Sequence, residues 1–304
     1  MDKLLNKLPF TDSVLRFIRK ETDKIKMLHG KQLAWMVNTK NTISDFSEVE
    51  FSVFSQWGDD GIIQFLINKI PNINKTFIEF GVENYRESNT RFLLCNNNWS
   101  GLVFDGSIEN IRFIQKDSIY WKHNLTAEAL FITKDNINQA IKNNNFSGDL
   151  GILHIDIDGN DYWIWESISE VNPAIVIMEY NSCFGKSLPV SIPYSASFQV
   201  RNAHHSGLYY GASISALCHL ATKKGYVFIG CNTNGNNSYF VKKEYADLFV
   251  IHTPESGYIK SEFRQNRDST GNLTFKNDHE VLKNINPLPL VNVITGEMLT
   301  TKNL

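Results

Sequence analysis

Residues 76–107 read TFIEFGVENYRESNTRFLLCNNNWSGLVFDGS. A short apolar run, Thr76 to Phe80, ends around Glu79 and Gly81. A polar turn follows, then the apolar periodic run Phe92 to Cys95, then a second short run, Gly101 to Phe104, closing on Asp105. The order is strand, turn, helix, strand, acid. Parallel neighbours need a helical connection that packs back on the sheet, and this spacing supplies one helix and little else. In such a unit the glycine lets the backbone approach a ligand, and the helix N-terminus offers free N–H groups to a carboxylate or phosphate. The acid ending the second strand can accept both hydroxyls of a ribose, and Asp105 stands in that place. A dinucleotide fingerprint would read G-x-G-x-x-G, but the turn Val82 to Glu87 holds no glycine, so a nucleoside ligand without a pyrophosphate fits better.

Upstream, FSQWGDDGII at 54–63 forms a polar turn in which Asp59 or Asp60 suits a helix N-terminus before Ile62, Ile63, Phe65 and Leu66. Capping accounts for one aspartate, while Gln56, entering just ahead of the first strand, is expected over the bound ligand. Residues 1–45 read as helical, with Leu4, Leu5, Leu8, Val14, Leu15, Phe17 and Ile18 on one side and a break at Pro9, an amphipathic cap for the domain or for a second subunit.

Downstream, Ile108 to Phe113 reads as a helix and Ile119 to Lys122 as a third strand, whose following turn would place Asn124 and Leu125 by a purine base. Helix 135–143 and the strand Gly151 to Ile157 lead into HIDIDGNDYW at 154–163. Another strand, Ala174 to Met178, ends in Glu179-Tyr180-Asn181. Ligands of open α/β sheets bind outside the carboxyl ends of the strands, so these two ends should converge. Carboxylates gathered there repel unless a proton or a cation intervenes. Asp158, Glu179 and Asn181 offer hard oxygen ligands suited to Mg²⁺, while Asp156 and Asp158 could instead cap the next helix. The loop 182–210 would overhang the strand ends, and His204 and His205 could supply a base or a metal ligand. Helix 211–224 should stop at Gly225, and the strands Tyr226 to Gly230 and Tyr239 to Val241 close the sheet.

With 304 residues, 42% of them hydrophobic, the chain can bury a substantial core. A formal charge of −2 leaves no electrostatic footprint for nucleic acid or an anionic membrane. The four cysteines, Cys95, Cys183, Cys218 and Cys231, show no zinc or disulfide spacing, which suits a reducing cytoplasm. Charges interrupt the first twenty residues, so neither a signal-peptide core nor a membrane span is expected.

The E-x-G strand end resembles motif I of class I S-adenosylmethionine (SAM)-dependent methyltransferases. Together with FSQWGDDGII, LVFDGS, HIDIDGNDYW, IMEYNS and GASISALCHLATKKGYVFIG, it makes residues 50 to 245 similar to the methyltransferases of bacterial capsule and O-antigen clusters, broadly of FkbM type. FRQNRD and PLVNVITGE extend a weaker similarity into the tail. The resemblance implies an α/β, Rossmann-like class I methyltransferase sheet, mostly parallel with an antiparallel final strand. It implies a helical N-terminal extension at 1–50, a SAM-binding domain at 51–250, and a tail at 251–304 wrapping the same domain. Cofactor contacts are then expected from Gln56, Glu79, Gly81, Asn89, Asp105, Asn124 and Asp156. Metal-dependent O-methyltransferases place acids and an asparagine after the fourth and fifth strands, which Asp158, Glu179 and Asn181 match; the Glu-Tyr-Asn spacing departs from their adjacent ligands. The base would be Asp161, His205 or His204. The implied activity is methyl transfer to a sugar hydroxyl or related group of a small-molecule acceptor in surface-polysaccharide biosynthesis, with Mg²⁺ as an optional second cofactor and homo-oligomerisation compatible.

The enzymatic rival is a metal-dependent glycosyltransferase using a nucleotide sugar, because Asp156-Ile157-Asp158 is a D-x-D. A degenerate binding module conflicts with so many intact acids, and a nicotinamide oxidoreductase with the missing glycines.

Overall fold

The computed structural model describes residues 11–262 and 264–304; Leu4, Leu5, Leu8 and Pro9 lie outside them. Helix α1 (Thr11–Asn38) leads by a loop to α2 (Asp59–Lys69) and strand β1 (Thr76–Phe80). Then follow α3 (Arg91–Asn97), β2 (Ser100–Asp105), α4 (Ile108–Lys116), α5 (Ser118–Lys122) and β3 (Leu125–Ala129). The chain continues through α6 (Ile137–Asn143), β4 (Gly148–Ile155), α7 (Asp161–Ser167) and β5 (Val171–Glu179).

After β5 come the two-residue β6 (Val190–Ser191), the short α8 (Val200–Ala203), α9 (Ile214–Lys224), β7 (Tyr226–Cys231) and β8 (Asn237–Lys242). The main sheet has the order β3-β2-β1-β4-β5-β8-β7, parallel except for β8, which runs antiparallel to both neighbours. This is the mostly parallel sheet with an antiparallel final strand that the sequence predicts. In the tail, β9 (Pro289–Asn292) and β10 (Met298–Thr300) pair with β6 in a separate three-stranded sheet.

Both faces of the sheet are covered, so its strands are apolar on both sides. Phe77, Val103, Ile152 and Ile175 pack with α2, α3 and α4, while Ile78, Phe80, Leu102 and Phe104 face the opposite way toward α6, α7 and α9. That alternation along one strand is the period of two built into β structure. Helix α9 begins where the Ser213 hydroxyl accepts the Ala216 N–H and ends at Gly225 in the left-handed region (φ 83°), as its sequence predicts.

One element differs. Ile119 to Lys122 lies in the helix α5, not in a strand; Asp117 caps it by accepting the Ile119 N–H at 3.0 Å. The third strand is Leu125–Ala129, paired in register with β2 from Gly101↔Leu125 to Asp105↔Ala129. Asn124 therefore precedes the strand, at the end of the sheet remote from the carboxyl rim.

Candidate functional site

The chain moves outward from β1 to β2 and β3, then returns to the other side of β1 as β4, so the sheet reverses direction between β1 and β4. Loops diverge there and leave a crevice at the carboxyl ends. The structure has a cavity of about 890 Å³ at this place, whose wall includes Gly81, Asp105, His154, Asp156, Glu179 and Arg201.

The turn after β1 is built on a buried carboxylate. Glu79 Oε1 accepts from the Asn89 N–H (3.0 Å) and His154 Nδ1 (2.9 Å), and Oε2 from the Ser88 hydroxyl (2.6 Å), the Thr90 N–H (3.1 Å) and the Thr90 hydroxyl. His154 Nε2 in turn meets Asn89 Nδ2 at 3.2 Å. Burial acts to raise Glu79, but the His154 bond and charge together with Ser88 and Thr90 hold it below the usual carboxylate range. Burial likewise acts to lower His154, and the Glu79 partner outweighs it, raising the imidazole. Glu79 reaches the cavity wall, yet both its oxygens are engaged with the protein. Its work is to shape the 88–90 turn, so a direct ligand contact from its carboxylate is not what the structure provides.

Gly81 has φ +73°, and a Cβ there would lie 1.7 Å from the Asp156 carbonyl oxygen. The glycine is thus required by contact between two turns. Asp105, 8% exposed, uses Oδ2 for the Glu83 N–H (2.7 Å) and Oδ1 for the Ser107 N–H (2.8 Å) and Asn110 Nδ2 (2.9 Å). A carboxylate oxygen has two lone pairs, so Oδ2 keeps one acceptor position and Oδ1 none. Asp105 thus has room for one further donor, not the two that a bidentate ribose contact would need.

Gln56 is on the wall, on a turn held by Asp60, whose Oδ2 accepts the N–H groups of Val53, Phe54 and Ser55 at 2.7 to 2.9 Å. Asp59 is a different kind of anchor: it accepts from Asn237 Nδ2 (2.9 Å), Asn232 Nδ2 (3.2 Å) and the Tyr239 hydroxyl. Two adjacent acids thus tie the turn before α2 to itself and to β8.

Asn124 is exposed and donates from Nδ2 to the Ser100 hydroxyl at 2.9 Å, far from the rim because β3 begins only at Leu125. The residues following the actual third strand, Leu130, Phe131 and Ile132, do line the cavity. The signal that could have found them is the helix cap at Asp117, which moves the strand forward. Asn124→Ala should leave ligand affinity at this cavity within about twofold, since exposed surface changes remote from special features are nearly neutral; calorimetric titration of the variant checks this.

At the ends of β4 and β5, the carboxyls of Asp156 and Glu179 come together, with oxygens within 4.8 Å of one another. Burial and the neighbouring Asp158 push Asp156 up to about 7, and burial with Asp156 raises Glu179 strongly. Glu179 Oε2 is buried with no partner. Asp161 is fully buried: its Oδ1 accepts the Ile157 N–H (2.8 Å) and its Oδ2 the Gly159 N–H (2.9 Å), and burial pushes it up to about 6. It organises the 156–160 turn and is not among the described residues of the cavity wall, which removes it as a base toward a ligand.

Asn181 does not join the acids: its amide donates to the Leu208 and Tyr210 carbonyls at 3.0 Å and its Oδ1 accepts the Cys183 N–H at 3.1 Å. The set Asp158, Glu179 and Asn181 therefore does not fit a metal. Ligand atoms of Asp156, Asp161 and Glu179 lie within 4.8 Å of one another. However, Asp161 spends both oxygens on backbone amides, and the raised Asp156 and Glu179 carboxyls can relieve their repulsion by holding protons.

His205 is on the cavity wall with Arg201 and Arg267. His204 is not among the described wall residues; its Nδ1 bonds the Ser206 hydroxyl (2.8 Å), its ring lies 4.1 Å from that of His205, and burial followed by His205 lowers it. The tail also reaches the site, through Gln265, Arg267 and Asp268, a contribution that polar, turn-rich sequence does not signal.

The raised acids predict a stability trend. Between about pH 4, the ordinary carboxyl value, and their folded values near 6 and 7, Asp161 and Asp156 bind more protons folded than unfolded. Stability therefore falls as pH rises through that interval, and the urea midpoint should be higher at about pH 5 than at about pH 7.5.

No protein-family model matches the sequence, and neither does any curated protein. Among solved structures the chain is similar to the N-terminal domain of EvdMO1 with SAH bound, at 13% identity over 73% of this chain and 94% of that one, TM-score 0.40. It is also similar to the O-methyltransferase from Bacillus cereus in complex with SAH, at 12% identity over 72% and 91%, TM-score 0.40. A third is an S-adenosylmethionine-dependent methyltransferase from Clostridium acetobutylicum, at 11% identity over 60% and 90%, TM-score 0.39. Likenesses this distant carry nothing about the activity of this chain, which has to be reasoned from its own residues.

Proposed function

We propose that the chain is a SAM-dependent methyltransferase that methylates an oxygen of a sugar or related small molecule, in capsular or surface-polysaccharide biosynthesis. The observation that carries this reading is the cavity at the β1/β4 reversal, with the Gly81 turn and Asp105 on one side and the Asp156–Glu179 pair on the other. Its volume of about 890 Å³ lies within the span of small-molecule and cofactor sites. Asp105 Oδ2 would take one ribose hydroxyl, Phe131 and Ile132 would flank the adenine, and the turn held by Glu79 would face the amino-acid end. Gln56, Ser88, Asn236 and Ser206 on the wall suit a polyhydroxylated acceptor.

In the reaction an acceptor oxygen attacks the sulfonium methyl in line. The new C–O bond forms as the S–C bond breaks, its electron pair returning to sulfur to give the neutral thioether, and the hydroxyl proton passes to a carboxylate. Asp156 is that base: it lines the cavity, and its value near 7 suits proton transfer at neutral pH. His205, on the cavity wall with Arg201, would orient the acceptor.

S-adenosylhomocysteine should bind in a calorimetric titration where a UDP-sugar with Mg²⁺ and NAD⁺ do not. Asp105→Ala should lower that affinity at least ~100-fold, the loss of a charge-assisted bond together with the turn it holds. Binding of the UDP-sugar alone would overturn the proposal. Labelled SAM with a panel of sugars and nucleotide sugars then identifies the acceptor.

A further inference from the structure

Helix α1 docks on the domain by one narrow face. Ala34 and Val37 are buried, and a Cβ on Gly30 would meet Val53 at 2.6 Å and Phe92 at 2.7 Å. The opposite face is apolar and, among the described residues, uncovered. Val14, Ile18, Ile25, Leu28 and Trp35 are all exposed, Leu28 by 69% and Trp35 by 70%, and Phe17 beside them by 65%. With Glu21 and Gln32 they fill positions 14, 18, 21, 25, 28, 32 and 35, an alternation of four and three that defines the seam of a left-handed coiled coil.

We propose that this stripe pairs with the same stripe of a second copy, antiparallel about a two-fold axis. A two-fold contact must be self-complementary, and one antiparallel register satisfies that along the whole seam. Ile18 faces the partner's Trp35, Ile25 faces the partner's Leu28, and Glu21 faces the partner's Gln32, so apolar meets apolar and the acid meets an amide. In the same register Leu15 lies beside the partner's Met36, and both are exposed in the single chain. The exposed side chains of two copies would bury on the order of 1,500 Å² in total, the size of a stable specific interface. A lipid surface is the competing occupant for a helix flanked by Lys20, Lys24, Lys26 and Lys31. Glu21, in the middle of the stripe and paired with Lys24 at 2.7 Å, would then carry its ion pair into the acyl region, at a cost that the paired helices avoid.

Sedimentation equilibrium from about 1 to 100 µM should show a dimer whose dissociation constant rises at least ~100-fold in Ile25→Glu/Leu28→Glu. Both sites are exposed, so at concentrations below the parent's dissociation constant the urea midpoint and circular dichroism of the variant should match those of the parent. Mixing Ile25→Cys with Leu28→Cys protein under oxidation should give chiefly the mixed disulfide, while self-linked Ile25→Cys as the main product would overturn the antiparallel order. A parent chain that stays monomeric at the highest concentration would overturn the proposal. So would a monomer that co-sediments with phosphatidylcholine–phosphatidylglycerol vesicles and loses this with the double substitution.

Discussion

Asp156→Asn should lower methyl incorporation by about 10²- to 10⁴-fold, the range removed with a general base, while S-adenosylhomocysteine affinity changes by no more than a few-fold. The asparagine keeps the shape, but it cannot accept the acceptor's proton. In the parent enzyme the rate should climb with pH to a plateau above about 7, the value to which burial and Asp158 push this carboxyl. The same profile should be lost in the variant. An equal fall in cofactor affinity would mean that Asp156 holds SAM and is not the base. An unaltered pH limb in Asp156→Asn would shift the role to His205, which also lines the cavity.

The second large effect is on stability. Glu79→Gln should cost about 3–5 kcal/mol, the loss found when one member of a buried charged pair is removed. Glu79 is 2% exposed and His154 4%, and the carboxylate accepts from two backbone amides, two hydroxyls and the imidazole. Glutamine replaces an acceptor oxygen with a donor facing donors. Glu79 sits lower in the folded chain than in the unfolded one, so its contribution is present above about pH 4.3 and is lost as pH falls through its folded value. His154 is raised, so its contribution is complete below about pH 6.5 and is lost as pH rises through its folded value. Urea unfolding across pH should show the parent–variant difference largest between those limits. A uniform difference would contradict the ion-pair account.

Much of the sheet is legible in the sequence because its strands are short apolar runs ending in acids, and parallel connections admit few alternatives. The β1–α3–β2 unit and the ends of β4 and β5 follow from that alone. The third strand does not: Ile119 to Lys122 is a four-residue apolar-rich segment equally suited to helix or strand, and the choice is made by the Asp117 cap and by pairing of Leu125–Ala129 with β2. The position of Asn124 fell with it.

Site roles were harder to read than site positions. Asp105, Asp156 and Glu179 reach the cavity as their strand ends require, but a sequence does not say which carboxylate oxygens are already taken. Asp161 and Asn181 look like free ligands in one dimension, and are tied to backbone groups brought to them by the folded turns. His154, within a strand, looks like one more residue of an apolar run until Glu79 is placed beside it.

The contact at Gly81 has a consequence for how this site can change over generations. Since a side chain there would collide with the Asp156 carbonyl, the turn after β1 and the turn after β4 share one surface and have no slack between them. Exchanges at 81 and around 156 should be strongly epistatic: harmful singly, and tolerated only as pairs that shift both loops together. A lineage could therefore remodel the acceptor side, where Arg201, His205 and the tail loop meet the cavity, far more freely than it could trade one nucleoside cofactor for another.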